Sequence, residues 1–150
     1  APGETIRIVE SVRSLATQQK YFSEKKSKAD GISAYSRHQF APALACDVAA
    51  IRSGQYIAKA SDPAWERWAD AVEAEGLESG LRWKFVDAPH AQVREADCIR
   101  LVQTAAGVHP DAAWGPLTDD AAAKRGPLRA NRKGWSRMSL ECWTAINVSP

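Results

Sequence analysis

The chain has 150 residues, of which 45% are hydrophobic and 25% are charged, with a formal net charge of +2. This length fits one medium domain, or a catalytic domain followed by a small module, and the composition excludes disordered and collagen-like chains. Because no apolar run approaches the roughly 18 residues that a membrane-spanning helix needs, we expect a protein that does not span a membrane.

Strand-like and helix-like periodicities alternate along residues 1–92. Alternation of apolar and polar side chains predicts a strand in which Ile6 and Ile8 share one face. Helical spacing places Tyr21 and Phe22 on the buried side of a helix, and Pro63 suits the first position of another. The predicted segments, in chain order, are a strand at 6–12, a helix at 15–26 capped by Ser14 or Thr17, a helix from Pro63 to Gly76, and a turn and strand at 77–86. Together they predict an α+β fold with a small antiparallel sheet flanked by helices.

The character of the chain changes after Gln92. An alanine-rich helix, a turn over 107–116, a helix from Thr118 and a last short helix over 140–146 predict a small three-helix module. We therefore place a domain boundary near residues 92–96, which gives a first domain of residues 1–92 and a module of residues 93–150. The three cysteines are odd in number and form no CxxC pair, so we expect buried thiols rather than a disulfide framework.

Two of the three histidines lie in short segments that also contain an acid: His38 precedes Asp47, and Asp87 precedes His90. A hydrolytic zinc site needs three ligands from His, Asp, Glu or Cys and one open position for water. His38, Asp47 and His90 would supply those ligands, and Asp87 would remain free to take a proton from the water. The spacing alone leaves a second interpretation open, in which both histidines are structural core residues.

Several separated motifs occur in a fixed order before residue 92, and they include these acids and histidines. They are Val12-Arg13-Ser14, Gln18, Ser36-Arg37-His38-Gln39, Ala43-Leu44-Ala45-Cys46-Asp47-Val48, Gly76-Leu77 and Trp83-Lys84-Phe85-Val86-Asp87-Ala88-Pro89-His90. In this order they resemble the D-Ala-D-Ala carboxypeptidase/L-alanyl-D-glutamate peptidase family of zinc enzymes. The resemblance covers nearly all of residues 5–92 and implies zinc as the cofactor.

The resemblance also implies a role for each residue of the site. The implied zinc ligands are His38, Asp47 and His90, with Asp87 as the general base. Arg13 would steady the scissile carbonyl or a substrate carboxylate, and Ser36 and Gln18 would hold the peptide; an exposed arginine at a strand end is the alternative for Arg13. Asp87 replaces the glutamate typical of the carboxypeptidases, which favours the L-alanyl-D-glutamate endopeptidases of phage endolysins over the D-Ala-D-Ala carboxypeptidases.

One spacing departs from the family pattern. Family members usually place a glycine shortly after the first histidine and the aspartate two positions nearer, whereas here Phe40-Ala41-Pro42 intervenes and Asp47 follows His38 by nine positions. The two additional residues either form a bulge that leaves both ligands in place or displace Asp47. In the second case the protein would be a non-catalytic wall-binding protein that keeps the fold.

Residues 93–150 resemble the three-helix peptidoglycan-binding module. The motif runs from Gln103 through Gly107-Val108 to the turn Asp111-Ala112-Ala113-Trp114-Gly115-Pro116-Leu117-Thr118, with Ala112 where the module usually has glycine. Turn chemistry alone could produce the same string. Trp114 and Trp135 would either stack on sugar rings or lie in the core.

A basic run without an intervening acid follows, from Lys124 to Arg137. It is either a solvated face or a patch that binds an anionic polymer, of which nucleic acid is one candidate. Both resemblances favour bacterial peptidoglycan over nucleic acid as the partner. We therefore expect a monomeric zinc peptidase that acts at the bacterial cell wall or periplasm, in phage-driven lysis or wall remodelling.

Overall fold

The computed structural model describes residues 3–148, and within them the chain forms five α-helices and one antiparallel sheet of five strands. The predicted α+β class is therefore confirmed. The strands are β1 (Glu4–Glu10), β2 (Ala45–Arg52), β3 (Gln55–Tyr56), β4 (Glu78–Ser79) and β5 (His90–Gln92). The helices are α1 (Leu15–Ser23), α2 (Pro63–Ala74), α3 (Glu95–Ala105), α4 (Pro116–Ala123) and α5 (Leu140–Val148). No helix among the described residues combines the length and the apolarity needed to cross a membrane.

The chain divides into two compact units. Unit 1 comprises the residues up to Gln39 together with Ala43–Val93, and unit 2 comprises Phe40–Pro42 and the chain from Arg94 onward. The short segment that distinguishes this chain from the family pattern therefore belongs to unit 2, although the chain on both sides of it belongs to unit 1.

The sheet of unit 1 runs in the order β1-β2-β5-β4, and β3 also pairs with β2. Its core combines residues of β2 with residues of α2: Val48 and Ala50 from the strand, and Ala64 and Trp65 from the helix. The Trp65 indole N–H also donates to the carbonyl of Ile57 at 3.1 Å, so that burial of the ring leaves no unpaired donor there. The long central strand β2 is thus held in place by the core.

Local sequence explains where both helices of unit 1 begin. Ser14 caps α1 by accepting a hydrogen bond from the Thr17 backbone N–H at 3.1 Å, as the sequence predicts. Asp62 caps α2 in the same way and Pro63 occupies its first turn. Gly76 follows the end of α2 with a φ of 77°, a conformation that glycine adopts without strain.

The structure confirms the first strand and corrects one expectation about the first helix. The alternation at 6–12 does mark a strand, β1, which lies at the edge of the sheet with Ile6 and Ile8 41% and 66% exposed. Phe22, expected on the buried side of α1, is 47% exposed near the end of a helix that stops at Ser23. Helical spacing therefore predicts α1 itself but not the exposure of Phe22.

Unit 2 is built around three helices and a group of aromatic rings. Trp135 and Trp143 are buried, and their ring centroids lie 5.8 and 6.0 Å from that of Phe40. The Trp143 indole N–H donates to the Pro42 carbonyl at 3.0 Å. Trp135 is therefore a core residue, which decides one of the alternatives for it, and Phe40–Pro42 is held by this core. All three cysteines are free thiols; Cys98 and Cys142 are buried and Cys46 is half-buried.

Candidate metal centre and cleft

His38 is buried in a single turn of 3-10 helix, Arg37–Gln39. Its Nδ1 lies 2.9 Å from the carbonyl oxygen of Ser11, to which it can donate a hydrogen bond. That contact fixes the tautomer in which Nδ1 carries the proton and Nε2 keeps a free lone pair. Nε2 is the nitrogen that faces Asp47 and His90.

Strand pairing places Asp47 and His90 side by side. They are register partners on β2 and β5, with Asp47 Oδ1 at 2.9 Å from His90 Nδ1. On its other edge Asp47 pairs with Glu10 of β1, next to an irregularity in the register between Ile8 and Glu10. Cross-strand partners have neighbouring side chains, so the sheet itself brings these two ligands together.

The three predicted ligand residues converge. His38 Nε2 lies 3.3 Å from His90 Nδ1 and 3.4 Å from Asp47 Oδ1, and the three ligand atoms all lie within 4.8 Å of one another. Atoms about 2.0–2.1 Å from a tetrahedral zinc ion lie about 3.3 Å apart, which agrees with these separations. Two imidazole nitrogens and one carboxylate oxygen are also a donor set that catalytic zinc accepts. The residues present therefore fit a metal ion, and the additional residues before Asp47 have not displaced it.

Hydrogen bonds on the side of His90 away from the candidate metal position orient its ring. The Nε2 of His90 lies 3.2 Å from Gln92 Oε1, and the Gln92 amide donates to Glu78 Oε2 at 3.1 Å. A histidine ligand that donates its other N–H to such an acceptor is held in one tautomer and one orientation. Sequence reasoning missed Gln92 and Glu78. Gln92 lies two residues after His90 and Glu78 begins β4, and only the pairing of β4 with β5 shows that the two side chains meet.

The charges of the ligands are coupled. Burial opposes ionisation of Asp47, but the adjacent imidazoles of His38 and His90 outweigh it and hold the pKa of Asp47 below its usual range. Burial disfavours the charged form of His90, but the Asp47 carboxylate and its hydrogen bond more than compensate and raise the pKa of His90. A metal ion would replace the proton that these two groups share.

Asp87 lines the same cleft as the three ligands. Its backbone N–H donates to the Gly80 carbonyl at 2.9 Å, and its carbonyl accepts from the His90 N–H at 3.0 Å, which forms the turn that leads into β5. Although much of Asp87 is exposed, partial desolvation of its carboxylate raises its pKa, while nearby His90 acts in the opposite direction. A carboxylate with a raised pKa at the side of a metal centre suits a general base.

Gly80 allows this turn to form, and sequence reasoning did not single it out. A Cβ placed on Gly80 would lie 2.3 Å from the Asp87 carbonyl oxygen and 3.0 Å from the Cβ of His90. Only glycine fits so close an approach of two backbone segments. Gly80 thus holds Asp87 and His90 at their present separation.

Arg13 is buried, which contradicts the alternative of an exposed arginine at a strand end. Its guanidinium donates from Nη1 to Gln18 Oε1 at 2.9 Å, from Nε to Glu10 at 2.9 Å, and from Nη2 to Glu10 and, at 3.3 Å, to Asp47 Oδ2. It also lies over the Tyr21 ring, 4.7 Å from the centroid. Four of its five donors are used in these contacts, so one Nη1 donor remains for a group in the cleft.

Ser36 and Gln18 occupy different positions. Ser36 lines the cleft, as a substrate contact would. Gln18 is fully buried behind Arg13, and its amide donates to Ser27 Oγ at 2.8 Å and to the Ala29 carbonyl at 2.6 Å. The structure does not bring Gln18 to the cleft surface, so direct contact between Gln18 and a substrate stays a prediction, and its contacts position Arg13.

Unit 2 contains its own polar network around the buried Gln103. The Gln103 amide donates to Asp111 Oδ1, the Ala113 carbonyl and Thr118 Oγ1, and its Oε1 accepts from the Ala112 N–H. Ala112 has a φ of 65°, the conformation for which the related motif uses glycine. The turn thus forms without the glycine, at the cost of backbone strain at Ala112.

No protein-family model matches the chain, and no curated protein matches it. Among solved structures, the L-Ala D-Glu endopeptidase ChiX of Serratia marcescens is similar to this chain, with a TM-score of 0.48 and 26% sequence identity, over 62% of this chain and 69% of that chain. A TM-score this low assigns neither a fold nor an activity. The geometry of the cleft is therefore the basis for a functional conclusion.

Proposed function

We propose that this protein is a zinc-dependent peptidase that hydrolyses peptide bonds in bacterial peptidoglycan stem peptides. The observation that carries the proposal is the convergence of His38 Nε2, Asp47 Oδ1 and His90 Nδ1 at separations of 3.4 Å or less, in the lining of an open cleft. Three ligands and an open side are what a hydrolytic metal site requires. Peptidoglycan as the substrate is supported by the motif resemblances of both parts of the chain.

The chain's own groups divide the chemistry between them. When bound, zinc supplies a Lewis acid for the scissile carbonyl and lowers the pKa of water. Asp87 takes a proton from the attacking water on a carboxylate oxygen and returns it to the amine that leaves. The remaining Nη1 donor of Arg13 stabilises negative charge that develops on the carbonyl oxygen, because a guanidinium already fixed by Glu10 and Gln18 needs little reorganisation.

We further propose that the bond cut is the one between L-Ala and D-Glu. Asp87 in place of the glutamate typical of carboxypeptidases supports this choice, and hydrolysis of the D-Ala-D-Ala bond is the alternative. Unit 2 would hold the enzyme on the wall through its peptidoglycan-binding-like motif, so the site of action would be the bacterial wall.

The test is metal analysis followed by digestion of purified peptidoglycan. We expect about one zinc per chain by elemental analysis. We also expect released fragments whose masses match peptides that end with L-Ala or begin with D-Glu. Fragments that lack a terminal D-Ala would instead support the carboxypeptidase. A folded protein that binds no zinc and releases no fragments would be the non-catalytic wall-binding protein, and the proposal would be wrong.

A further inference from the structure

The cleft contains more positive charge than the proposed chemistry uses. Its cationic lining residues are Arg13, Lys26, Lys28, Arg37 and Lys84. Its acidic lining residues, among those the structure describes, are Asp47 and Asp87, and both belong to the metal site. With a volume of about 830 Å³ the cleft can take several residues of a peptide. A substrate with carboxylates away from the scissile bond would complement this lining.

Lys28 differs from the other cations in its surroundings. Lys26 is paired with Glu24 at 2.7 Å, and Arg13 is held by Glu10. The Lys28 ammonium instead lies over the Phe85 ring, 3.8 Å from its centroid, and it makes no ion pair with an acid in the part of the chain that the structure describes. A ring face holds a cation in place without cancelling its charge, so the N–H donors of Lys28 remain available to an anion.

The Phe85 ring has no role in the core that would explain its position. It is 69% exposed at the cleft, on the segment that leads to Asp87 and His90, whereas Lys28 lies on the opposite segment after α1. The pair therefore joins two segments of the cleft lining that are far apart in sequence. An ammonium fixed in this way loses less conformational entropy on binding an anion than a freely rotating lysine would.

We propose that Lys28 is a specificity-determining residue that binds a substrate carboxylate outside the scissile bond, with Phe85 as its positioning residue. The site then prefers a peptide with a free carboxylate at that place over the same peptide with a carboxamide. This inference rests on the proposed peptidase function, whose substrate it narrows.

The test compares two synthetic stem peptides that differ only in the free carboxylate of D-Glu, which is a carboxamide in the second. We expect the zinc-loaded wild type to favour the carboxylate about tenfold in kcat/KM, the size expected for one charge-assisted hydrogen bond. Lys28→Gln should reduce that ratio to about one, and Phe85→Leu should reduce it in part. Lys84→Gln is the matched control, since it removes the same charge from the same cleft but from a lysine without a ring contact; it should keep most of the preference.

Equal rates for the two peptides in the wild type, or an unchanged ratio in Lys28→Gln, would overturn the assignment. An equal loss in Lys84→Gln would also overturn it, because the preference would then come from the overall charge of the cleft.

If the wild type cuts neither peptide, the proposed peptidase function fails, and calorimetric binding to zinc-loaded Asp87→Ala decides the inference separately. Tighter binding of the carboxylate peptide, lost in Asp87→Ala/Lys28→Gln, supports the role of Lys28; equal or undetectable binding of both peptides overturns it.

Discussion

Asp47 on β2 and His90 on β5 are register partners, and Asp47 Oδ1 lies 2.9 Å from His90 Nδ1. Two of the three candidate ligands are thus set by the hydrogen bonds of a sheet rather than by a loop. The third, His38, is fixed from outside by the Ser11 carbonyl at 2.9 Å. A site on paired strands keeps its geometry more closely than one on mobile loops, which favours a tightly held metal ion.

Substitutions at Asp87 and His90 should separate catalysis from metal binding. Asp87→Ala should keep zinc but lower kcat by about 10²- to 10⁴-fold, because only the proton acceptor is removed. His90→Ala should lose both zinc and cleavage, since it removes a ligand. Elemental analysis and peptide digestion of both variants check this. Wild-type activity in either variant would contradict the roles assigned here.

Gln92 should affect zinc affinity through His90. Gln92→Leu removes the acceptor at 3.2 Å from His90 Nε2, so we expect zinc affinity to fall about 10- to 100-fold in a competition assay with a chelator. Gln55→Leu, at an exposed position on β3, is the control and should leave the affinity unchanged. Equal affinities in Gln92→Leu and the wild type would show that Gln92 does not support the ligand.

Local patterns predict much of unit 1, and their failures have physical causes. The capping residue Ser14 and the start of α2 at Pro63 are set by contacts within a few residues, so the sequence predicts them well. The exposure of Ile8 depends on which strand forms the edge of the sheet, and alternation along one strand carries no such information. Periodicity therefore predicts an element more reliably than it predicts which of its faces is covered.

In the candidate site, too, the sequence predicts some features, and others depend on contacts between distant residues. The three candidate ligands follow from a motif resemblance and do converge in the structure. The sequence could not show how the additional residues at Phe40-Ala41-Pro42 are accommodated. They contact Trp143, which lies more than a hundred residues further along the chain. The role of Gly80 could not be predicted from the sequence either, because Gly80 approaches Asp87 closely only in the folded turn before β5.

Gly80→Ala should displace the turn that holds Asp87. The added Cβ would lie 2.3 Å from a backbone oxygen, which cannot move away as a side chain could. We expect a loss of about 1–3 kcal/mol in the free energy of unfolding and a fall of about 100-fold in kcat/KM. Gly115→Ala is the steric control, because its Cβ meets no atom within 4 Å; it should show only the smaller cost of replacing a capping glycine at the start of α4 and leave kcat/KM unchanged. Urea unfolding and peptide hydrolysis measure both effects, and equal losses in the two variants would contradict this account.

Asp62 should make the stability of unit 1 dependent on pH. Its hydrogen bonds to Arg52 and to the Ala64 N–H lower the pKa of Asp62 from 3.8 to about 2. A carboxyl with a lowered pKa in the folded state stabilises the fold above its unfolded pKa, here 3.8, and this stabilisation is lost as the pH falls towards 2. Asp62→Asn keeps a capping group but no charge. The difference in urea midpoint between wild type and Asp62→Asn should therefore shrink from pH 5 to pH 2; a constant difference would contradict the linkage.

Ala112→Gly should stabilise unit 2. Ala112 has a φ of 65°, where a residue with a Cβ is strained by about 1–2 kcal/mol, and glycine removes that strain. Glycine also gives the unfolded chain more freedom, which costs about 0.4–1 kcal/mol, so the expected net gain is about 0.5–1 kcal/mol in the free energy of unfolding. Ala106→Gly supplies the opposite case, because Ala106 has a φ of −89° and has no strain of this kind to release. Thermal unfolding should show a higher Tm for Ala112→Gly and a lower one for Ala106→Gly; a lower Tm in both would show that Ala112 is not strained in this turn.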